Sequence, residues 1–531
     1  MKLLITGGDC RLARAIASAL SNEAQIRLVD LAFTEAPPPN TEAITGDIRQ
    51  PDFAKQIVQD QEVLLHLAPI APTSLDELGT LEHTTRGTYV LFQQATYAGI
   101  RAFVIGSTLD LFKDFPAQWD INEGWRPQPH PTLDHLCPWL GELSAFEMLR
   151  SLVFRGACLR FGTIVDSQET TILPYQDTWL HLEDAVQGVR CALERVQKTG
   201  WRGWKIFHIT AKGNHAKVRL RGASEIGYQP KYDFQAEREA TGTPVPSPPK
   251  AWRDVLTPKE PIPSRSLYKV VFFGAGGPVS AVAAEELASS FQLRLTDVIA
   301  IGDITTYAGR QEADAPLPRV LPPPHEAQVV DVRDPNQVMQ ACEGMDAIVN
   351  FTVVRPDLEK AFQVNTLGAY NILKAAVHHK IRRVVHTGPL LVGLDWDSGD
   401  RWEHDIPGDV PPRPGRHLYA HSKYLGQEMC KAFAHYYGLE IPALLYCQFL
   451  NYDLKHGINS FPVTWTDSAR AVRRALEVPS LPTPFEQVHI LADIPHSIFT
   501  NSRAKEILGW APRDDMEPHW QDRNYGNTEL A

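Results

Sequence analysis

Lys269-Val270-Val271-Phe272-Phe273 leads without a break into Gly274-Ala275-Gly276-Gly277-Pro278-Val279-Ser280. Near the start of the chain, Lys2-Leu3-Leu4-Ile5-Thr6 leads in the same way into Gly7-Gly8-Asp9-Cys10-Arg11-Leu12-Ala13. In both stretches a short apolar run ends in a glycine turn and opens an alanine-rich segment of helical period, Gly274–Ser289 and Gly7–Leu20. Glycine permits positive φ and close backbone approach, and a helix N-terminus offers amide donors and a positive dipole end to an anion. Each run therefore predicts a strand, an anion-cradling turn and a helix.

The likeness continues in order along the chain. A second strand ending in an acid is expected at Arg27-Leu28-Val29-Asp30 and at Val298-Ile299-Ala300-Ile301-Gly302-Asp303. Gly46-Asp47-Ile48-Arg49 and Val330-Asp331-Val332-Arg333 follow, then fourth strands at Val63–Leu67 and Ala347–Phe351. Helices at Gly87–Tyr97 and Gly368–His378 lead into Arg101–Ile105 and Arg382–His386. Paired positions lie 267 to 285 residues apart, the signature of an internal duplication. Strands alternating with helices imply parallel sheets covered on both faces, with a ligand crevice at the carboxyl ends of the strands. Between the repeats, Ala236 to Ser266 holds Pro244, Pro246, Pro248, Pro249, Pro258, Pro261 and Pro263 and reads as a stiff tether. The expected organisation is α/β throughout: a domain at 1–235, a Pro-rich linker at 236–266 and a second domain at 267–531.

At 531 residues the chain suits two cores rather than one. A formal charge of −11 argues against a nucleic-acid partner. The seven cysteines are scattered without a C-x-x-C pair, which points to reduced thiols and away from a zinc site. No apolar run reaches the length of a membrane span and the N-terminal residues read as a core strand, so a cytoplasmic protein without membrane attachment is expected.

This order of elements resembles the extended short-chain dehydrogenase/reductase family, the NAD-dependent epimerase/dehydratase type, arranged in tandem. The resemblance implies two doubly wound, Rossmann-type domains, each with a T-G-x-x-G-x-x-G turn for a dinucleotide pyrophosphate. In the second half Gly274 and Gly277 match the first two glycines and Ser280 stands at the third. Asp303 is expected to accept the ribose hydroxyls, which favours NAD over NADP. Asp331 corresponds to an adenine-contacting acid, and Asn365 to the Asn of an N-x-x-G-T helix start. In the first half Cys10 and Ala13 replace two glycines and Asp9 adds a negative charge, although Asp30 and Asp47 survive. That half reads as a structural relic of a nucleotide fold.

The family's chemistry rests on Y-x-x-x-K at a helix start, where positions i and i+4 share a face and the ammonium favours the phenolate. The second half carries it as Tyr419-Ala420-His421-Ser422-Lys423. Tyr419 is thus the expected general acid/base, and Lys423 its activator and ribose anchor. A third catalytic hydroxyl is expected after the fifth strand. Family spacing puts Gly388 there, with Thr387 one residue early as the candidate. In the first half Trp139 and Leu143 are read at the Tyr and Lys positions, and Ser107 at the hydroxyl.

Other features narrow the reading. The segments from Arg160 to His181 and from Tyr446 to Thr464 are too short for a nucleotide-sugar cap, and Tyr446 takes the place of a family arginine. A small hydroxyl- or carbonyl-bearing substrate, sugar-like or otherwise, is expected. His83, His421 and His378-His379 lack partners for a metal site, and Trp396 and Trp402 are a lid or an anchor. The resemblance implies that residues Leu143–Arg150 pair with Lys423–Cys430 as an intrachain pseudo-dimer. Two readings stay open: an NAD(P)-dependent oxidoreductase or epimerase acting through the second half, and a non-catalytic NAD-binding scaffold or sensor.

Overall fold

The computed structural model describes residues 1–116, 119–198, 200–213, 218, 220–241, 257–307, 315–393, 404–452, 461–495 and 497–521. Trp396, Trp402 and most of the prolines assigned to the linker lie outside them. The chain divides into two compact units, Met1–Thr257 and Pro258–Ala531.

In the N-terminal unit, β1 (Lys2–Thr6), β2 (Gln25–Asp30), β3 (Thr41–Thr45), β4 (Val63–His66), β5 (Ala102–Thr108), β6 (Arg155–Phe161) and β9 (Gly203–Ile209) form one sheet. Its order is β3-β2-β1-β4-β5-β6-β9, and every adjacent pair is parallel. A two-stranded ribbon, β7 (Thr163–Val165) with β8 (Trp179–His181), stands apart. The order reverses at β1, and the crevice of a doubly wound sheet lies at such a point. Helices Arg11–Leu20 and Leu182–Gln197 pack together over one face, and Glu77–Tyr97 packs against Leu133–Leu149 over the other. Leu3 and Ile5 join the cluster under the first helix pair, while Leu4 is equally buried on the opposite side of the strand. A sheet buried on both faces needs such uninterrupted apolar strands.

The C-terminal unit repeats this with β10 (Lys269–Phe273), β11 (Gln292–Asp297), β12 (Glu326–Val329), β13 (Ala347–Asn350), β14 (Arg383–Pro389), β15 (Ile441–Tyr446) and β18 (Phe485–His489). The order is β12-β11-β10-β13-β14-β15-β18, and the separate ribbon is β16 (Gln448–Leu450) with β17 (Pro462–Thr464). The two sheets are thus topologically identical.

Two expectations need correction here. The second strand of this unit is Gln292–Asp297, not the run ending at Asp303; residues Ile301–Asp303 form a 3₁₀ turn. The apolar stretch that suggested the strand is on the surface, with Val298 57% and Ile299 53% exposed. The true strand hides its core face in alternation, burying Leu293 and Leu295 while Arg294 reaches Glu326. The tether region is also structured at its ends. Gln235–Thr241 is helical, and the amides of Lys259, Glu260 and Ile262 donate to the carbonyls of Tyr436 and Tyr437.

Candidate functional site

The glycine turn of the C-terminal unit shows why each glycine is there. Gly274 has φ of 81°, and a Cβ on it would lie 2.8 Å from the amide nitrogen of Thr352. Gly277 caps the helix Pro278–Leu287, and among the described residues the nearest atoms to a Cβ there are 3.7 and 3.8 Å away, ordinary contacts that leave this position uncrowded. The Ser280 hydroxyl lies 2.6 Å from the Gly277 carbonyl and 2.9 Å from that of Gly274, bracing the turn from below.

The carboxylate at the end of the second strand is Asp297. Its Oδ2 accepts the Gly276 amide at 2.8 Å. In the N-terminal unit Asp30 does the same, its Oδ2 accepting the Asp9 amide at 3.0 Å. Asp303 is exposed on the 3₁₀ turn six residues beyond the strand. Sequence reasoning missed Asp297, although a signal existed: it follows Gly274 by 23 residues, as Asp30 follows Gly7.

Asp331 is engaged by Arg333, whose Nε lies 2.9 Å from Oδ2 and whose amide donates to Oδ1 at 2.9 Å. The Arg333 hydrogen bond holds its carboxyl below the usual range, against a smaller opposing effect of burial. Asp47 and Arg49 repeat the arrangement. Asn365 lies in a π-helical segment, Phe362–Gly368, a distortion often found at functional sites. Its amide nitrogen donates to the Val354 carbonyl at 2.7 Å and to the Ser422 hydroxyl at 3.0 Å, and its oxygen accepts the Val354 amide. Asn365 therefore pins the loop after β13 to the helix bearing Tyr419 and Lys423.

That helix is Leu418–Tyr437. Tyr419, in its first turn, is half-buried, and the Arg355 guanidinium lies 5.3 Å from the centroid of its ring. Lys423, one turn on, is buried, and its Nζ donates to the carbonyls of Thr352 at 2.6 Å and Thr387 at 3.2 Å. Burial pulls the ammonium pKa down to about 8. The neighbouring His386 is held neutral by burial, at about 3.

Thr387 does not take the place of the missing hydroxyl. Successive strand residues face opposite sides, and its Oγ1 donates to the Asn350 carbonyl at 2.8 Å. Strand pairing puts Thr387 level with Gly106 and Gly388 level with Ser107, with no shift. The same register sets Leu445, not Tyr446, at the position of Arg160. Tyr446 is buried and corresponds to Phe161.

The first-half equivalents of Tyr419 and Lys423 also need correction. The helices begin at Leu133 and Leu418, 285 residues apart, and Arg160 and Leu445 keep that spacing. Asp134 and Pro138, rather than Trp139 and Leu143, therefore occupy the Tyr and Lys positions. Gly141 and Gly426 share the spacing, and a Cβ on either would collide with the segment it crosses, at Pro69 or at the Asn365 carbonyl. The loop before the helix is four residues shorter in the first half. Trp139 instead packs in a buried cluster with Leu109, Phe112 and Ile121. In the first-half turn, the Asp9 carboxylate binds Arg14 at 2.8 Å and the Thr34 amide at 2.9 Å, and the Cys10 sulfur accepts the Ala13 amide at 3.4 Å. Among the described residues no three His, Cys, Asp or Glu side chains gather as metal ligands, and no helix is long and apolar enough to cross a membrane.

Residues 275–453 match a family model described as the NAD dependent epimerase/dehydratase family. A uronate dehydrogenase of Pseudomonas syringae pv. tomato is 26% identical over 253 residues, 47% of this chain and 83% of the relative. An L-arabinose 1-dehydrogenase (NAD(P)(+)) of Haloferax volcanii is 24% identical over 269 residues, 46% of this chain and 97% of the relative. Among solved structures, uronate dehydrogenase from Agrobacterium tumefaciens matches with a TM-score of 0.38 at 19% identity, covering 47% of this chain and 91% of that one.

Proposed function

Because residues 275–453 match the model of the NAD dependent epimerase/dehydratase family, we propose that this chain is an NAD-dependent oxidoreductase working through its C-terminal unit on a small sugar. The observation that carries the reading is the seat of Lys423. One helical turn from Tyr419, its Nζ is held at the carboxyl ends of β13 and β14, where a doubly wound sheet binds its ligand.

The residues present fit a dinucleotide: no described side chain crowds Gly277 at the helix N-terminus, and Asp297 fixes the turn through Gly276. In this reading Gly274, Gly277 and Ser280 hold the pyrophosphate, Asp297 faces the adenosine ribose, and Asp331 and Asn365 shape the adenine and nicotinamide sides. A carboxylate at Asp297 repels a 2′-phosphate, which favours NAD over NADP. When bound, the nicotinamide supplies a hydride acceptor.

Tyr419 takes the proton of the substrate hydroxyl, and the Lys423 ammonium stabilises the phenolate that does so. Arg355, beside the Tyr419 ring, adds a second positive charge at the reacting position. Its guanidinium favours a sugar carrying a carboxylate, in keeping with the uronate dehydrogenases among the relatives. The test is steady-state formation of NADH from uronates and neutral pentoses. Turnover of uronates that falls at least about tenfold in Arg355→Ala supports the assignment.

One observation favours the second reading, an NAD-binding protein without turnover: Gly388 supplies no hydroxyl and Thr387 faces the sheet. NAD binding with no oxidation of any sugar would select it. The pairing of residues Leu143–Arg150 with Lys423–Cys430 within one chain extends the proposal. Light scattering after gel filtration would then give a monomer, and a tight dimer using those helices between chains would refute it.

A further inference from the structure

The N-terminal unit contains a cleft of about 540 Å³ at the carboxyl ends of β4, β5 and β6, within the roughly 300–1,000 Å³ of small-molecule sites. Its place in the N-terminal sheet corresponds to that of Tyr419 and Lys423 in the C-terminal sheet, but its chemistry differs. Ser107, level with Gly388, is fully buried in its wall, and its hydroxyl has no hydrogen-bond partner among the described residues. Buried hydroxyls are nearly always satisfied, so this one is set to meet a polar group entering the cleft. Thr84 and Thr163 add further hydroxyls.

The charge in the cleft has one sign. Asp110 and Asp134 line it, whereas none of its described lining residues is lysine or arginine. The equivalent of Lys423 is Pro138, which contributes no donor. His83, also in the wall, is kept neutral by burial, at about 4. An anion entering would meet two carboxylates with no cation in the lining, the Lys113 ammonium acting on both from outside it, whereas hydroxyl groups would find acceptors. The nearby turn is closed to a pyrophosphate by other means. Its helix amide at Ala13 is taken by the Cys10 sulfur, and the Asp9 carboxylate stands beside it.

From these observations we infer that the N-terminal cleft binds a neutral polyhydroxylated molecule of monosaccharide size, without a dinucleotide, and rejects the corresponding sugar acid. The unit is then a binding module rather than an inert relic, and its preference is opposite to that proposed for the C-terminal site.

The experiment is calorimetric titration of the full chain with D-glucose, L-arabinose and D-glucuronate, in wild type and three variants. Saturable binding of at least one neutral sugar is expected. It weakens tenfold or more in Ser107→Leu, which fills the wall, and also in Asp134→Ala, an exposed position that leaves the core intact. It is unchanged in Tyr419→Phe. The inference is overturned if neither neutral sugar binds, if glucuronate binding is the one lost in Ser107→Leu, or if neutral-sugar binding is lost in Tyr419→Phe and kept in Asp134→Ala. NAD titration of the same samples reports on the C-terminal site separately, so failure of one assignment is not failure of the other.

Discussion

The Lys423 ammonium lies 2.6 Å from the carbonyl oxygen of Thr352, just past the end of β13, and so ties the helix that carries Tyr419 to the mouth of the sheet. Burial at this seat lowers its pKa to about 8, so the charge that favours the phenolate is lost as pH rises through that value. The pH profile of kcat/KM reports such free-enzyme groups. We expect an alkaline limb near pH 8 in sugar oxidation. Lys423→Met should abolish that limb and lower the rate by about 10² or more.

Asp297 and Asp303 separate cleanly in their expected effects. Asp297→Ala removes the acceptor of the Gly276 amide and should weaken NADH binding at least about tenfold. Asp303→Ala alters an exposed turn and should leave binding within about twofold. Fluorescence titration with NADH checks both.

Gly388→Ser should restore the missing hydroxyl. A Cβ there comes within 3.0 Å only of the flexible end of Leu445, so the side chain can be accommodated by a small shift. If the C-terminal site turns over sugars, the variant should raise kcat by about tenfold; an unchanged rate places the limiting step elsewhere.

Acid should unfold the protein early. Burial holds His66, His208 and His386 at about 3, and His83, His135, His421 and His489 at about 4, all below the ordinary value of 6.5. The unfolded chain binds more protons than the folded one between those values and 6.5. Stability is therefore full above pH 6.5 and falls as pH drops toward 4, by about 1.4 kcal/mol per pH unit for each histidine. Denaturant unfolding between pH 7 and 4 would show the slope, and His386→Asn, which takes up no proton, should reduce it.

The duplicated order of strands and helices was legible because Leu3–Ile5 and Val270–Phe273 are apolar throughout and lead into glycines that the turn requires. Tyr419 and Lys423 were legible for the same kind of reason, since their spacing is the helical turn itself. Asp297 was hidden because its strand alternates polar and apolar residues, while Val298 and Ile299, which are exposed, belong to a run with the composition of a buried strand. Asp134 and Pro138 were missed because loop length, which no local pattern fixes, sets where their helix begins. The orientation of Thr387 depends on which strand carbonyl its hydroxyl meets, a matter of sheet register.

The central claim is that Tyr419 moves the substrate proton at a dinucleotide site in the C-terminal unit. The most direct test is NADH formation from a panel of uronates and pentoses by wild type and Tyr419→Phe, with NADH binding measured on both. The account predicts intact binding and a rate lowered by about 10²–10⁴ in the variant; equal rates in the two proteins would contradict it.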